Sequence, residues 1–229
     1  MLNITVDELR IGCERFWDYE PRDAMYRVAT KVVRAAWPNP AEVADGLGVV
    51  LLTWNNAAYR YGSFDFAKLE QLIRRNLNEL AAFRSRVLDQ FDPVEDTILV
   101  GHVYCEALEA LSYTEKALKT PVGVAKALHI LAPGFFPLWD REIAKACQHM
   151  WDSPADARSA DTYLSFMKLM KVTAEELEKQ FAAGGPGRAG LPAAGDLAAS
   201  LSAHGGQYKT MLKFVDEYLY AKYTKRLMD

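Results

Sequence analysis

In the stretch FFPLWDREI, residues 135–143, Asp140 follows two phenylalanines, a proline and a tryptophan, at the point where an apolar run gives way to helical spacing. Phe135, Phe136 and Pro137 predict a rigid, buried loop, and Ile143, Ala144 and Cys147 recur at helical intervals after it. Asp140 therefore falls at or near an N-cap. A carboxylate there accepts backbone N–H bonds, meets the positive helix end and stays ionised at neutral pH. Capping alone explains such a residue. The same placement also suits the cleavage of an N-glycosidic bond, which builds positive charge on the sugar. A fixed, partly desolvated carboxylate aimed at that sugar stabilises the charge and can orient an attacking water. Trp139 beside it could exclude water or stack on a base.

A second constellation is TWNNAAYRY, residues 53–61, which crowds Trp54, Asn55, Tyr59 and Arg60 into a short span. On a helix, Asn55 and Tyr59 share a face, as do Asn56 and Arg60, and such groups can stack on or hydrogen-bond a base. Trp54 serves equally well as core, next to Leu51, Leu52 and Ala58. Lys126 reads as a solvated helix residue or as an amine near Asp140. His102 and His129 stand alone on apolar helices, as satisfied core histidines do, although His129 is close to the Asp140 loop.

Helices must position these groups. Thr5 with Glu8, Ser112 with Glu115 and Thr173 with Glu176 are capping boxes, while NPAE (39–42), DPVE (92–95) and TPVG (120–123) are proline starts behind a capping residue. Apolar residues then follow at three-to-four spacing, with no alternating strand pattern between them. The spacing predicts an all-α chain with helices at about 5–19, 22–36, 40–60, 65–89, 93–111, 114–119, 121–131, 140–150, 159–170, 174–182 and 207–227. Residues 182–196, rich in Gly, Ala and Pro, predict a flexible connector; its Arg188, flanked by glycines, is a candidate phosphate contact.

The chain has 229 residues, half of them hydrophobic, and a net charge of −3. Cys13, Cys105 and Cys147 are widely spaced, which predicts reduced thiols in a cytoplasm and no zinc or iron–sulfur site. A P-loop, GxGxxG and HExxH are absent, so no cofactor and no metal are expected. No apolar stretch is long enough to span a bilayer, and MLNITVDELR lacks the pattern of a signal peptide. The charge is segregated. Residues 92–110 hold five acids and no Lys or Arg, residues 60–86 six bases against three acids, and residues 207–229 five bases against three acids. A polyanion partner, DNA, therefore requires 60–86 and 207–226 to present bases towards one cleft with 92–110 behind them. Basic and aromatic residues interleave in 208–226, where Phe214 and Tyr218 are expected in the core.

The segment PVGVAKALHILAPGFFPLWDREIAKA, residues 121–146, resembles the core of the helix-hairpin-helix DNA glycosylase superfamily: a hairpin, an apolar helix, a short loop, then an aspartate followed by x-x-Ile-x-Lys. The fit is carried by Pro137, Asp140, Ile143 and Lys145. The resemblance implies a two-lobed helical fold around a central cleft, with 40–135 as one lobe and 1–36 plus 140–229 as the other. It implies Asp140 as the catalytic residue and a base pocket that includes Trp54, Asn55, Tyr59, Arg60 and Trp139. The departures are specific. The hairpin Gly-x-Gly is reduced to Gly123 and Val124, Lys126 stands closer to the aspartate than the family's lysine, and the family's optional cluster cysteines are missing. These features imply a monofunctional, water-using enzyme that removes a damaged base or a hypermodified base of invading phage DNA. Two other readings remain: a nucleoside or nucleotide N-glycosidase, and a non-enzymatic helical interaction protein in which Asp140 is only a cap.

Overall fold

The computed structural model describes residues 2–60, 62–113, 119–147, 153, 155–183 and 209–228. The chain is all-α. Its helices are α1 (Val6–Tyr19), α2 (Ala24–Ala36), α3 (Pro40–Trp54), α4 (Phe66–Arg75), α5 (Leu77–Arg84), α6 (Thr97–Ala110), α7 (Pro121–Leu131), α8 (Arg141–Ala146), α9 (Ala160–Ala183) and α10 (Met211–Leu219). No helix among the described residues is long and apolar enough to cross a membrane.

Capping chemistry sets several starts. Thr5 and Glu8 form a reciprocal box on α1, Asn39 accepts from the backbone of Ala41 and Glu42 ahead of Pro40, and Asp65 accepts from Ala67 and Lys68. Elsewhere side chains override the expected boundaries. The helix expected over 65–89 divides at Asn76, whose amide donates to Leu72 O at 2.9 Å and to Glu106 Oε2 at 2.6 Å. The helix expected from 93 begins at Thr97. Asp92 Oδ1 instead holds a turn through the Val94 and Glu95 amides, while the Asp96 carboxylate accepts from Asp92 N and pairs with Arg86. The Thr173 box does not form. Thr173 lies inside α9, its hydroxyl donates to Leu169 O at 2.9 Å, and the two expected helices are one. The last helix ends at Leu219 and passes into a π-helical turn, Tyr220–Thr224, closed by Lys225 N–H on Tyr220 O. The expected helix at 114–119, the Glu115 partner of Ser112, the end of the helix at 140–150, and the connector with Arg188 fall wholly or largely outside the described residues.

At the centre is α7. Nine of its eleven residues are buried, and it packs on α2, α3 and α6. On the far side α1 lies against α10 through Gly12, where a Cβ would come within 3.1 Å of the Tyr218 backbone.

From α7 the chain enters the loop 132–140, which delivers Asp140. A buried loop must satisfy its carbonyls from side chains. Arg84 donates to Leu131 O, Thr210 to Pro133 O at 2.8 Å, His129 Nδ1 to Phe136 O at 2.7 Å and Tyr163 to Pro137 O at 2.9 Å. Phe135 stacks on Phe83 with centroids 4.7 Å apart. Donation from Nδ1 leaves His129 Nε2 to accept from Tyr26 OH at 3.1 Å, so the neutral imidazole is a strut between α2 and the loop. Burial pushes its pKa down from 6.5 to about 4. Above pH 6.5 folded and unfolded states are both neutral here; below it the unfolded chain takes a proton that the folded chain refuses. His129 should therefore contribute a stability loss of roughly 3 kcal/mol as pH falls from 6.5 to about 4. Urea titrations across that range should show a shallower pH dependence in His129→Gln. An equal slope in both proteins would remove the strut assignment.

Candidate active site

A cleft of about 260 Å³ opens where α1, the start of α2, the end of α3, α7, the start of α8 and α10 meet. Its apolar walls include Phe16, Trp54, Trp139 and Tyr220, and its charged groups are Glu20, Asp23, Asp140, Asp216, Lys126 and Lys213.

Asp140 is the N-cap of α8. Oδ1 accepts from Ile143 N–H at 2.9 Å, and Oδ2 accepts from the Thr224 hydroxyl at 2.6 Å. Both oxygens are pinned, and the Glu142 backbone N–H also acts on the carboxylate. Burial raises the Asp140 carboxyl above the usual aspartate range, and the bonds from Ile143 and Thr224 pull it back. The result is a carboxylate of fixed orientation with strengthened basicity.

Lys126 comes from the inner helix α7 and is half-buried against the end of α3. Its Nζ donates to Trp54 O at 2.9 Å and lies 4.8 Å from the Trp54 ring centroid. The carbonyls at a helix C-terminus lack intrahelical donors, so a lysine is well received there. Burial nevertheless pushes its pKa down to about 8, with Asp216 and Asp140 opposing the fall. It is a half-buried amine with a backbone acceptor rather than a solvated helix residue.

The basic residues of the C-terminal helix are divided. Lys209 and Lys213 are interior. Lys209 Nζ lies 2.6 Å from Glu217 Oε1 and 3.2 Å from Asp23 Oδ2, and Lys213 Nζ 2.9 Å from Asp216 Oδ2. Glu217, fully buried, also accepts from Trp17 Nε1 at 2.9 Å. Burial works against the Lys213 charge, but Asp216, Glu217 and Asp23 outweigh it and hold its pKa above the lysine range. These two lysines are neutralised inside the fold and are not free for an external polyanion. The bases of 60–86 do not line the cleft. Arg74 pairs with Glu70, Arg86 with Asp96, and Arg84 bonds Leu131 O with its guanidinium 4.9 Å from the Trp37 ring. The shared basic cleft expected from charge segregation is therefore absent from this face.

Of the residues read as pocket candidates, Trp54 and Trp139 line the cleft. The indole of Trp139 is buried, 3.5 Å from Pro121 O through Nε1, and packs edge-on to Tyr163. Asn55, Tyr59 and Arg60 do not line it, because α3 stops at Trp54 and Asn55 is its C-cap. Asn55 Nδ2 is buried against Gly123, where a Cβ would approach to 3.0 Å. Tyr59 is a core strut, its hydroxyl donating to Leu111 O at 2.7 Å beside Thr120, and burial pushes its pKa up to about 12. Arg60 is exposed. Sequence reasoning missed Glu20, Asp23, Asp216 and Thr224 and counted Lys213 among the bases expected to face a polyanion. The one signal was the register of α10, since Lys213, Asp216, Glu217 and Tyr220 recur at three-to-four spacing. No protein-family model, curated protein or solved structure matches the chain.

Proposed function

We propose that the protein cleaves the N-glycosidic bond of a damaged or modified base in DNA, with Asp140 as the catalytic carboxylate. The carrying observation is Asp140 itself: half-buried, held at both oxygens, and set in an aromatic-walled cleft. As the bond to the base lengthens, the base takes the electron pair and the sugar acquires oxocarbenium character. The Asp140 charge stabilises that cation and accepts a proton from the water that attacks C1′. Trp54 and Tyr220 offer faces for an extruded base. A base of hypermodified phage DNA fits this reading as well as a damaged one.

A second reading rests on Lys126. A half-buried amine with its pKa lowered to about 8 in the same cleft is suited to attack C1′ directly. Its lone pair would form the N–C1′ bond as the base leaves, and loss of the amine proton and opening of the sugar would give a reducible imine. The water route should release free base without nicking the strand, with abasic sites revealed by alkali. Borohydride trapping of a protein–DNA adduct would transfer the nucleophile to Lys126. DNAs carrying a panel of modified bases test both routes; a panel with no base release would overturn the reading.

Both routes share a pH dependence. Below pH 8 a protonated Lys126 opposes the cationic sugar, and above it that charge is gone. Base release should rise several-fold through about pH 8 in the wild type; Lys126→Met should lose that inflection on the water route and lose release altogether on the amine route. A wild-type profile that is flat between pH 7 and 9 would show that Lys126 does not act on the reacting centre.

A further inference from the structure

The cleft cannot hold the sugar–phosphate backbone. Its charged lining has four carboxylates, Glu20, Asp23, Asp140 and Asp216, against two lysines, one already paired with Asp216. Such an interior admits a base and repels a phosphate. If the substrate is a polynucleotide, its phosphates must be held by cations at the cleft mouth.

The C-terminal turn supplies them. Among the described residues, Lys222, Lys225 and Arg226 have no carboxylate within ion-pair distance, in contrast to Lys209 and Lys213. Glu8 acts on Lys222 from farther away. Tyrosines hold the two lysines instead. Lys225 Nζ lies 5.0 Å from the Tyr19 ring and 5.6 Å from Tyr220, while Lys222 Nζ is 2.7 Å from Tyr218 OH and 5.6 Å from the Tyr223 ring. An aromatic face orders an ammonium group without cancelling its charge, which keeps it available to an anion.

Position and backbone agree with this. Tyr220 lines the cleft, and Thr224, next to Lys225, bonds Asp140. Arg226 adopts φ 54, a left-handed conformation that favours glycine, and the turn is closed by Leu227 N–H on Ala221 O at 2.8 Å. A non-glycine residue there costs the turn some stability, and the long cationic side chain it carries is exposed.

We propose that this turn is a phosphate clamp: Lys225 and Arg226, with Lys222 behind them, hold the backbone phosphates flanking the nucleotide whose base enters the cleft. The clamp rests on the base-excision reading for its occupant and makes the substrate a polynucleotide rather than a free nucleoside.

The test is fluorescence anisotropy with a labelled duplex bearing a central abasic-site analogue, titrated at several salt concentrations. Arg226→Gly is the informative variant, because it relieves the left-handed strain and removes one cation together. It should melt no earlier than the wild type yet bind DNA more weakly. The Lys225→Ala/Arg226→Gly double variant should lose roughly tenfold or more in affinity, with a log–log salt slope shallower by about two. Unchanged affinity and slope in both variants, or a wild type that does not bind the duplex, would overturn the clamp. Free-base release is measured separately. Release that persists while binding ignores these residues sinks the clamp alone; rim-dependent binding without release supports the clamp and sinks the excision reading.

Discussion

Asp140→Asn is expected to fold like the wild type and to lose base excision by roughly 10²–10³-fold or more. Asparagine caps helices about as well as aspartate, and its Oδ1 can still accept from Ile143 N–H. On the other side its Nδ2 would donate to the Thr224 hydroxyl, which can reverse its role from donor to acceptor. The substitution therefore removes the charge and little else. Thermal melts should differ by no more than the equivalent of a few tenths of a kcal/mol, while single-turnover release of free base collapses and DNA binding persists. Asp140→Ala removes cap and charge together and should cost about 1 kcal/mol in addition. An asparagine variant with full excision activity would reduce Asp140 to a cap.

The second large effect concerns stability. Glu217→Ala should destabilise the protein by about 3–5 kcal/mol, because it leaves Lys209 and Lys213 buried with too little compensating charge and removes the acceptor of Trp17 Nε1. In a protein of this size that corresponds to a melting temperature lower by roughly 10 °C. Glu217→Gln keeps the shape and the Trp17 bond, so the difference between the two variants isolates what the carboxylate charge does. The two lysines would also draw harder on Asp23 and Asp216, which line the cleft. Denaturant titrations followed by circular dichroism measure both variants. A Glu217→Ala protein within 1 kcal/mol of wild type (about the mean effect of any point substitution) would show that the network contributes little.

Local chemistry made part of this readable from sequence. Thr5, Asn39, Asp65 and Asp140 cap helices through their own side chains, a property of residues within three positions of one another. Asn76 and Thr173 defeated the same grammar, because the partners that decide their roles are remote. Asn76 reaches Glu106, and Thr173 meets the backbone of Leu2. The site shows the same division. Asp140 and Trp139 announce themselves by adjacency. Lys213, by contrast, alternates with apolar residues as any surface lysine does, and only the arrival of Asp23 from α2 and of Asp216 on its own helix makes it interior. Asn55 and Tyr59 failed for a related reason: a pattern that continues past Trp54 says nothing of where the helix stops.

The pairing of α1 with α10 carries a consequence for synthesis. Trp17 and Glu217 are 200 residues apart, so on a ribosome the inner face of α1 waits on the order of 10–40 s for its cover. During that interval Phe16, Trp17 and Leu9, buried in the finished protein, have no native partner on α10. Asp140 waits in its turn for Thr224, 84 residues behind it. The inner face of α1 is therefore aggregation-prone surface until α10 arrives to cover it. The Asp140 carboxylate acquires its second anchor only once the turn carrying Thr224 has emerged.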